Sequence, residues 1–202
     1  MKAALNDKAI KKVISDGIAL VDPFEEENLQ PASIDLRLGN IFYKYNLESY
    51  ELGETIDDEQ SFKETFEELK LKNGETAFVG LYEKMHIPLD TIGLIMPRSS
   101  ITRLGIHIVP TYMNPGYSGN MPLTIINHTG LTITLKPMRR VVQLILFSLS
   151  SIPEKIYEDG SDSKYFNDNV MPSKLHNDHE LEKMMDEILE KEAPILHKMT
   201  KG

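Results

Sequence analysis

The chain has 202 residues, 41% of them hydrophobic, which suits one domain with a sizeable core, or one domain plus arms. Lysine and arginine total 22 against 31 aspartates and glutamates, so the net charge is −9; this excludes binding a nucleic acid polymer through the general field, and a phosphate ligand needs a local positive pocket. With no cysteine, disulfides, cysteine-ligated zinc and cysteine nucleophiles are excluded. No apolar run approaches a bilayer span, and MKAALNDKAIKKVI lacks a signal-peptide pattern, so the expectation is a soluble, cytoplasmic protein without membrane contact.

Residues 6–16, NDKAIKKVISD, predict a short helix, with Ile10, Val13 and Ile14 on one face, Asn6 as the cap and Gly17 at the end. IALVDPF (18–24) reads as a strand ending at a proline. PASIDLRLG (31–39) alternates, Ile34, Leu36 and Leu38 on one side and Ser33, Asp35 and Arg37 on the other, which predicts a half-buried strand that NIFYKYNL (40–47) extends. Residues 48–70 are acidic and weakly patterned, and read as an exposed excursion in which FKETFEELK is a solvated loop. KNGETAFV (72–79) predicts a turn at Asn73-Gly74 and then a strand. MHIPL, TIGLIM, GIHIV, MPLTIIN, LTITL and RRVVQLILFSL follow as short β-like runs separated by Pro, Gly and Asn, the pattern of an all-β barrel or sandwich. GSDSKYFNDNVMPSKLHND (160–178) is too polar for a core of its own and reads as a disordered stretch, a lid or an arm. HELEKMMDEILEKE (179–192) predicts a helix with Leu181, Met185, Ile188 and Leu189 as its stripe.

Two stretches carry chemistry. PRSSITRLG (97–105) brings together Arg98, Ser99, Ser100 and Arg103; hydroxyls in a turn wrap phosphate oxygens and arginine adds a bidentate, always-charged partner. An ordinary strand-to-helix junction capped by a serine has the same composition. NPGYSG (114–119) is a turn in which Tyr117 could lie flat against a sugar, or simply sit at the surface of a hairpin. Lys164, Tyr165 and Lys174 could close over a charged ligand, or belong to a solvated tail. The six histidines show no metal-ligand spacing, and no metal site is assigned to protein side chains.

Taken together, LNDKAIKKVISDGIALVDPFEEENLQPASIDLRLG (5–39), PLDTIGLIMPRSSITRLGI (88–106), NPGYSG and SKYFNDNVMPSKLHND (163–178) resemble the dCTP deaminase and dUTPase superfamily, nearest its dCTP deaminase and bifunctional branch. The resemblance implies an all-β, distorted jelly-roll or β-barrel of the dUTPase type, with a short amino-terminal helix and a carboxy-terminal lid plus helix. The barrel domain would span 1–158 and the lid and helix 159–202. It further implies a homotrimer with sites between subunits, a pyrimidine deoxynucleoside triphosphate (dCTP or dUTP) as substrate, and Mg²⁺ held through the nucleotide phosphates. By position, Arg98, Ser99 and Ser100 would hold phosphates and order water, Arg103 would reach the neighbouring site, Tyr117 would pack under the deoxyribose, and Lys164 and Tyr165 would close over the triphosphate, with Asp168 near a lid position that usually holds a base-reading glutamine.

The family's general acid–base groups are carboxylates, a Glu on the strand after the sugar turn and an Asp just before it; here Thr124 and Asn114 stand at those positions, and residues 106–128 contain no Asp or Glu. The turn KPMRRVVQ (136–143) carries Met138 and Val142 where the family has glycines. Three functions remain open at this point: a working dCTP deaminase or dUTP diphosphatase, a nucleotide-binding relative without turnover, and a structural trimer with a vestigial site.

Overall fold

The computed structural model of the chain describes residues 4–57, 60–157, 168–169 and 172–175. In chain order its elements are α1 (Asp7–Ser15), β1 (Val21–Asp22), a 3-10 turn (Glu26–Asn28), β2 (Leu29–Gln30), β3 (Ser33–Tyr45), β4 (Ser61–Thr65), β5 (Leu69–Leu71), β6 (Thr76–Leu81), β7 (Lys84–His86), β8 (Thr91–Pro97), α2 (Ser99–Thr102), β9 (Ile106–Ile108), β10 (Thr111–Met113), β11 (Ser118–Asn120), β12 (Pro122–Asn127), β13 (Ile133–Leu135), β14 (Arg140–Ser148) and β15 (Asp168–Asn169). The architecture is all-β. The helix predicted at 179–192 lies outside the described residues.

α1 begins where Asn6 accepts a hydrogen bond from Ala9 N at 3.0 Å, which satisfies one of the orphan amides of the first turn. It stops at Gly17, whose φ of +93° an L side chain rarely adopts. Ile10 is fully buried, and Val13 and Ile14 pack against the same core. The strand read at 18–24 shrinks to Val21–Asp22, because Ile18 N still bonds back to Val13 O and Pro23 has no N–H to give a ladder.

β3 is the axis of the fold. Its first half pairs with β14, Ile34 opposite Leu144 and Asp35 opposite Gln143. Its second half pairs with β6, Phe42 opposite Val79 and Tyr43 opposite Phe78. The change of partner falls around Gly39, where a Cβ would stand 2.7 Å from Gly80 O. The nine-stranded sheet then runs β10-β8-β14-β3-β6-β12-β9, with β2 and β4 also on β3. A smaller sheet orders β1-β7-β11-β15, and β13 pairs β5. Leu36, Leu38, Val79, Leu123, Ile125, Leu144 and Leu146 form the centre of the core, each contributing about 1.5–3 kcal/mol by burial.

Two sequence expectations change here. β3 is buried on both faces from Ser33 to Gly39 rather than half-buried. Arg37 is covered because Glu83 and Glu25 pair with it. The stretch 62–70, read as solvated, supplies most of β4 and β5, with Phe66 and Leu69 in the core; Phe66 packs edge-on to Phe42 at 5.7 Å.

The chain divides into two compact units, Met1–Tyr45 with Phe62–Met171, and Asn46–Ser61 with Pro172–Gly202. In the second, residues 46–57 and 60–61 turn back on themselves: Asn46 N donates to Gln60 O at 2.7 Å and Tyr50 Oη to Glu54 O at 2.9 Å. The acidic excursion therefore has its own local bonds.

Candidate functional site

β8 ends at Pro97 opposite Val142, and the chain turns into the four-residue α2, which carries Ser99 and Ser100. Gly105, at φ +82°, closes the segment. Ser99, Ser100 and Arg103 are exposed and Arg98 is half-buried. Arg98 does not point freely into solvent. Its Nη2 lies 3.3 Å from Asp35 Oδ2 and its Nη1 donates to Arg140 O at 3.3 Å. Arg140 approaches the same Asp35 oxygen at 3.7 Å. Asp35 and Arg140 were not among the residues singled out in the sequence. The alternation of β3 gave a weak signal for Asp35, and nothing local gave one for Arg140.

Residues 114–117 form a tight turn in which Tyr117 N donates to Asn114 O at 3.1 Å. Pro115 and Gly116 (φ +86°) are the residues a type II turn asks for at its two central positions. A Cβ on Gly116 would also meet Tyr157 O at 2.6 Å. Asn114 is exposed. Tyr117, which looked like a surface aromatic, is only 4% exposed; its ring lies 6.0 Å from that of Tyr157. Thr124 is half-buried on β12 opposite Phe78, whose ring stacks on Tyr43 at 4.5 Å. The position where the resemblance expects a glutamate thus adjoins an aromatic surface. After the turn, Ser118 Oγ and His86 Nδ1 share a 3.0 Å hydrogen bond. Burial pushes the His86 pKa below its ordinary 6.5, Lys84 adds to the shift, and Asp22 opposes it.

The two groups of residues do not meet within one chain. Met113 stands opposite Gly93 on β8, so Asn114 lies beside the beginning of that strand while Arg98 follows its end. Six residues of strand separate the two levels, about 20 Å at roughly 3.3 Å each. Of the predicted lid residues, Lys164 and Tyr165 lie outside the described residues. Asp168 is in β15, where its backbone is paired in parallel with Gly119. A cavity of about 350 Å³ at the bend of β3, lined by Gly39, Asn40, Tyr82 and Asn120, contains none of the predicted site residues. Among the described residues no helix is long and apolar enough to cross a membrane.

A family model described as dCTP deaminase-like matches residues 4–149. A protein named "dCTP deaminase, dUMP-forming" from Methanopyrus kandleri is 34% identical over 186 residues, covering 86% of this chain and 96% of that protein. One of the same name from Methanothermobacter thermautotrophicus is 33% identical over 191 residues, covering 89% and 97%. Among solved structures, 2'-deoxycytidine 5'-triphosphate deaminase from Agrobacterium tumefaciens is similar with a TM-score of 0.59 at 23% identity, over 73% of this chain and 48% of that one. The likeness extends to the fold, and this chain spans about half the length of that solved chain.

Proposed function

The chain belongs to the dCTP deaminase-like family, and from that premise we propose that it binds a pyrimidine deoxynucleoside triphosphate, with dCTP deamination as its reaction class and hydrolysis to dUMP as the step that follows. The observation that carries the proposal is the exposed turn in which Arg98 stands beside the Ser99 and Ser100 hydroxyls in a chain of net charge −9. In deamination, water adds to C4 of the cytosine and ammonia leaves, giving dUTP; attack of a second water on the triphosphate gives dUMP and pyrophosphate. Arg98, Ser99 and Ser100 bind phosphate oxygens, charge-assisted at the arginine. Arg103, Lys164, Tyr165 and Asp168 complete the site from the neighbouring chain and the lid. Tyr117 supports the deoxyribose, which requires the Tyr157 segment covering it to shift. Mg²⁺ arrives on the nucleotide, held through the phosphate oxygens that Arg98, Ser99 and Ser100 bind. The assembly is a homotrimer working in the cytoplasm.

A second reading, nucleotide binding without turnover, is favoured by one observation: Asn114 and Thr124 cannot take a proton from water, and residues 106–128 hold no carboxylate. A missing general acid–base group costs about 10²–10⁴-fold in rate. An end-point assay with Mg²⁺ and each of dCTP and dUTP, resolving dUTP, dUMP, ammonia and pyrophosphate, separates the two. Product at enzyme-like rates supports the first reading, and a bound nucleotide without product supports the second. Either ligand should raise the melting temperature, and Arg98→Ala should abolish that rise. A rise that survives the substitution rules out the phosphate assignment.

A further inference from the structure

Asp35 and Arg140 lie in β3 and β14, Arg98 follows the end of β8, and a bulge puts the three on one face. β14 lies between β8 and β3. Gln143 stands opposite Asp35, and Val142 opposite both Leu36 and Pro97. Paired residues share a face and successive residues alternate. Asp35 and Arg98, the residue after Pro97, therefore face the same way. In a regular ladder Arg140, three residues before Gln143, would face the other way. The register shifts between Arg140 and Val142, so that Arg140 stands opposite Arg37. The extra residue, Val141, turns Arg140 onto the face of Asp35.

There the Asp35 side chain is 3% exposed, and its Oδ2 has no hydrogen-bond partner among the described residues. What faces that oxygen is the pair of guanidinium groups, with side chains 32% and 41% exposed. One buried negative charge against two positive ones leaves a net +1. Each guanidinium has five N–H donors; Arg98 commits Nη1 to Arg140 O and Arg140 commits Nη1 to Glu27 O. Among the described residues, neither guanidinium has another partner beyond these carbonyls and Asp35, and both lie near Ser99 and Ser100.

We infer that Arg140 is a second phosphate-binding arginine of this site and that Asp35 is the residue positioning both arginines for the polyphosphate of the nucleotide. The inference rests on the nucleotide reading above and deepens it. A buried carboxylate next to an anion site is electrostatically unfavourable for the anion, so its contribution must come from holding the two planar forks in place.

The test is calorimetric titration of the full chain with inorganic triphosphate and with dCTP at fixed Mg²⁺. The proteins compared are wild type, Arg98→Gln, Arg140→Gln, Arg140→Lys and Asp35→Asn. Arg140→Gln should weaken both ligands roughly tenfold or more, and Arg140→Lys should recover part of the loss. Asp35→Asn should also weaken both, although it removes a negative charge. Tighter binding by Asp35→Asn overturns the positioning role. The Arg140 variants, on an exposed residue, decide the question even where Asp35→Asn does not fold. Wild-type affinity in Arg140→Gln, alongside loss in Arg98→Gln, overturns the inference and leaves the nucleotide reading standing. Wild-type protein that binds neither ligand overturns both.

Discussion

Arg37 holds two carboxylates at once. Glu83 accepts from its Nε at 2.6 Å and from its backbone N at 2.8 Å, and Glu25 accepts from Nη1 at 2.8 Å. Burial alone would lower the Arg37 pKa, and the hydrogen bonds it donates to Glu83 and Glu25 outweigh it, holding the group above its ordinary value. The two acids are not equivalent, since the Glu83 side chain is 1% exposed and that of Glu25 39%. Glu83→Gln removes the buried carboxylate and leaves Arg37 paired with the more exposed Glu25 alone, which should cost about 1.5–3 kcal/mol, whereas Glu25→Gln should cost about 1 kcal/mol or less. Urea denaturation of both variants checks the ranking, and equal losses would contradict it. His86 gives a second expectation. Its pKa is lowered in the fold, so the unfolded chain binds more protons as pH falls. The stability it contributes is complete above about 6.5 and declines as pH falls through the folded value. Melting temperatures between neutral and mildly acidic pH should show a smaller decline in His86→Gln than in wild type. The sequence made Arg98, Ser99 and Ser100 legible because they are contiguous. Asp35 and Arg140 are 105 positions apart by their numbers (140 − 35) and meet only through a sheet register. No window of sequence carries that information.

Elements were legible where one period or one turn residue decides them. α1 was, through Asn6 and Gly17, and so were most of the short strands. β4 and β5 were not. Their alternation is weak and acidic, and what makes them strands is pairing with β3 and β13 and the docking of Phe66 against Phe42. The turn before β14 shows a local rule surviving a changed residue. Met138 adopts φ +66°, at a position where the resemblance expected glycine, and its N–H still bonds to Leu38 O at 2.8 Å. That conformation costs an L residue about 1–2 kcal/mol, while glycine returns about 0.5–1 kcal/mol through its freer unfolded chain. Met138 is 46% exposed and loses little burial on truncation. Met138→Gly should therefore stabilise by about 0.5–1 kcal/mol, and the β-branched Met138→Val should destabilise. A urea midpoint that falls for Met138→Gly would show that the methionine side chain contributes more than its backbone costs.

At the scale of the whole molecule, β8 separates the two groups of candidate site residues. Arg98 follows its last residue and Asn114 lies level with its beginning, about 20 Å apart along the strand. On the nucleotide reading proposed above, a ligand gripped by its phosphates at Arg98 rests its sugar on the turn of another subunit, each site combining the phosphate half of one chain with the sugar half of its neighbour. Two exposed or half-exposed variants isolate the halves. Arg98→Ala disables the phosphate half, and Asn114→Arg blocks the sugar half without touching the core. Each protein alone should bind no nucleotide. Co-refolded in equal amounts as randomly mixed rings, about a quarter of the sites should combine two intact halves, and binding should return to about that fraction of wild type. Sites built within one chain would give no recovery at any ratio, and sedimentation of the mixture confirms that the subunits have assembled. Recovery near a quarter fits the shared site in a ring of any size, and the sedimentation gives the number of subunits. Absence of recovery in properly mixed oligomers would mean that the ligand lies on one subunit and that one of the two residue groups has no part in holding it.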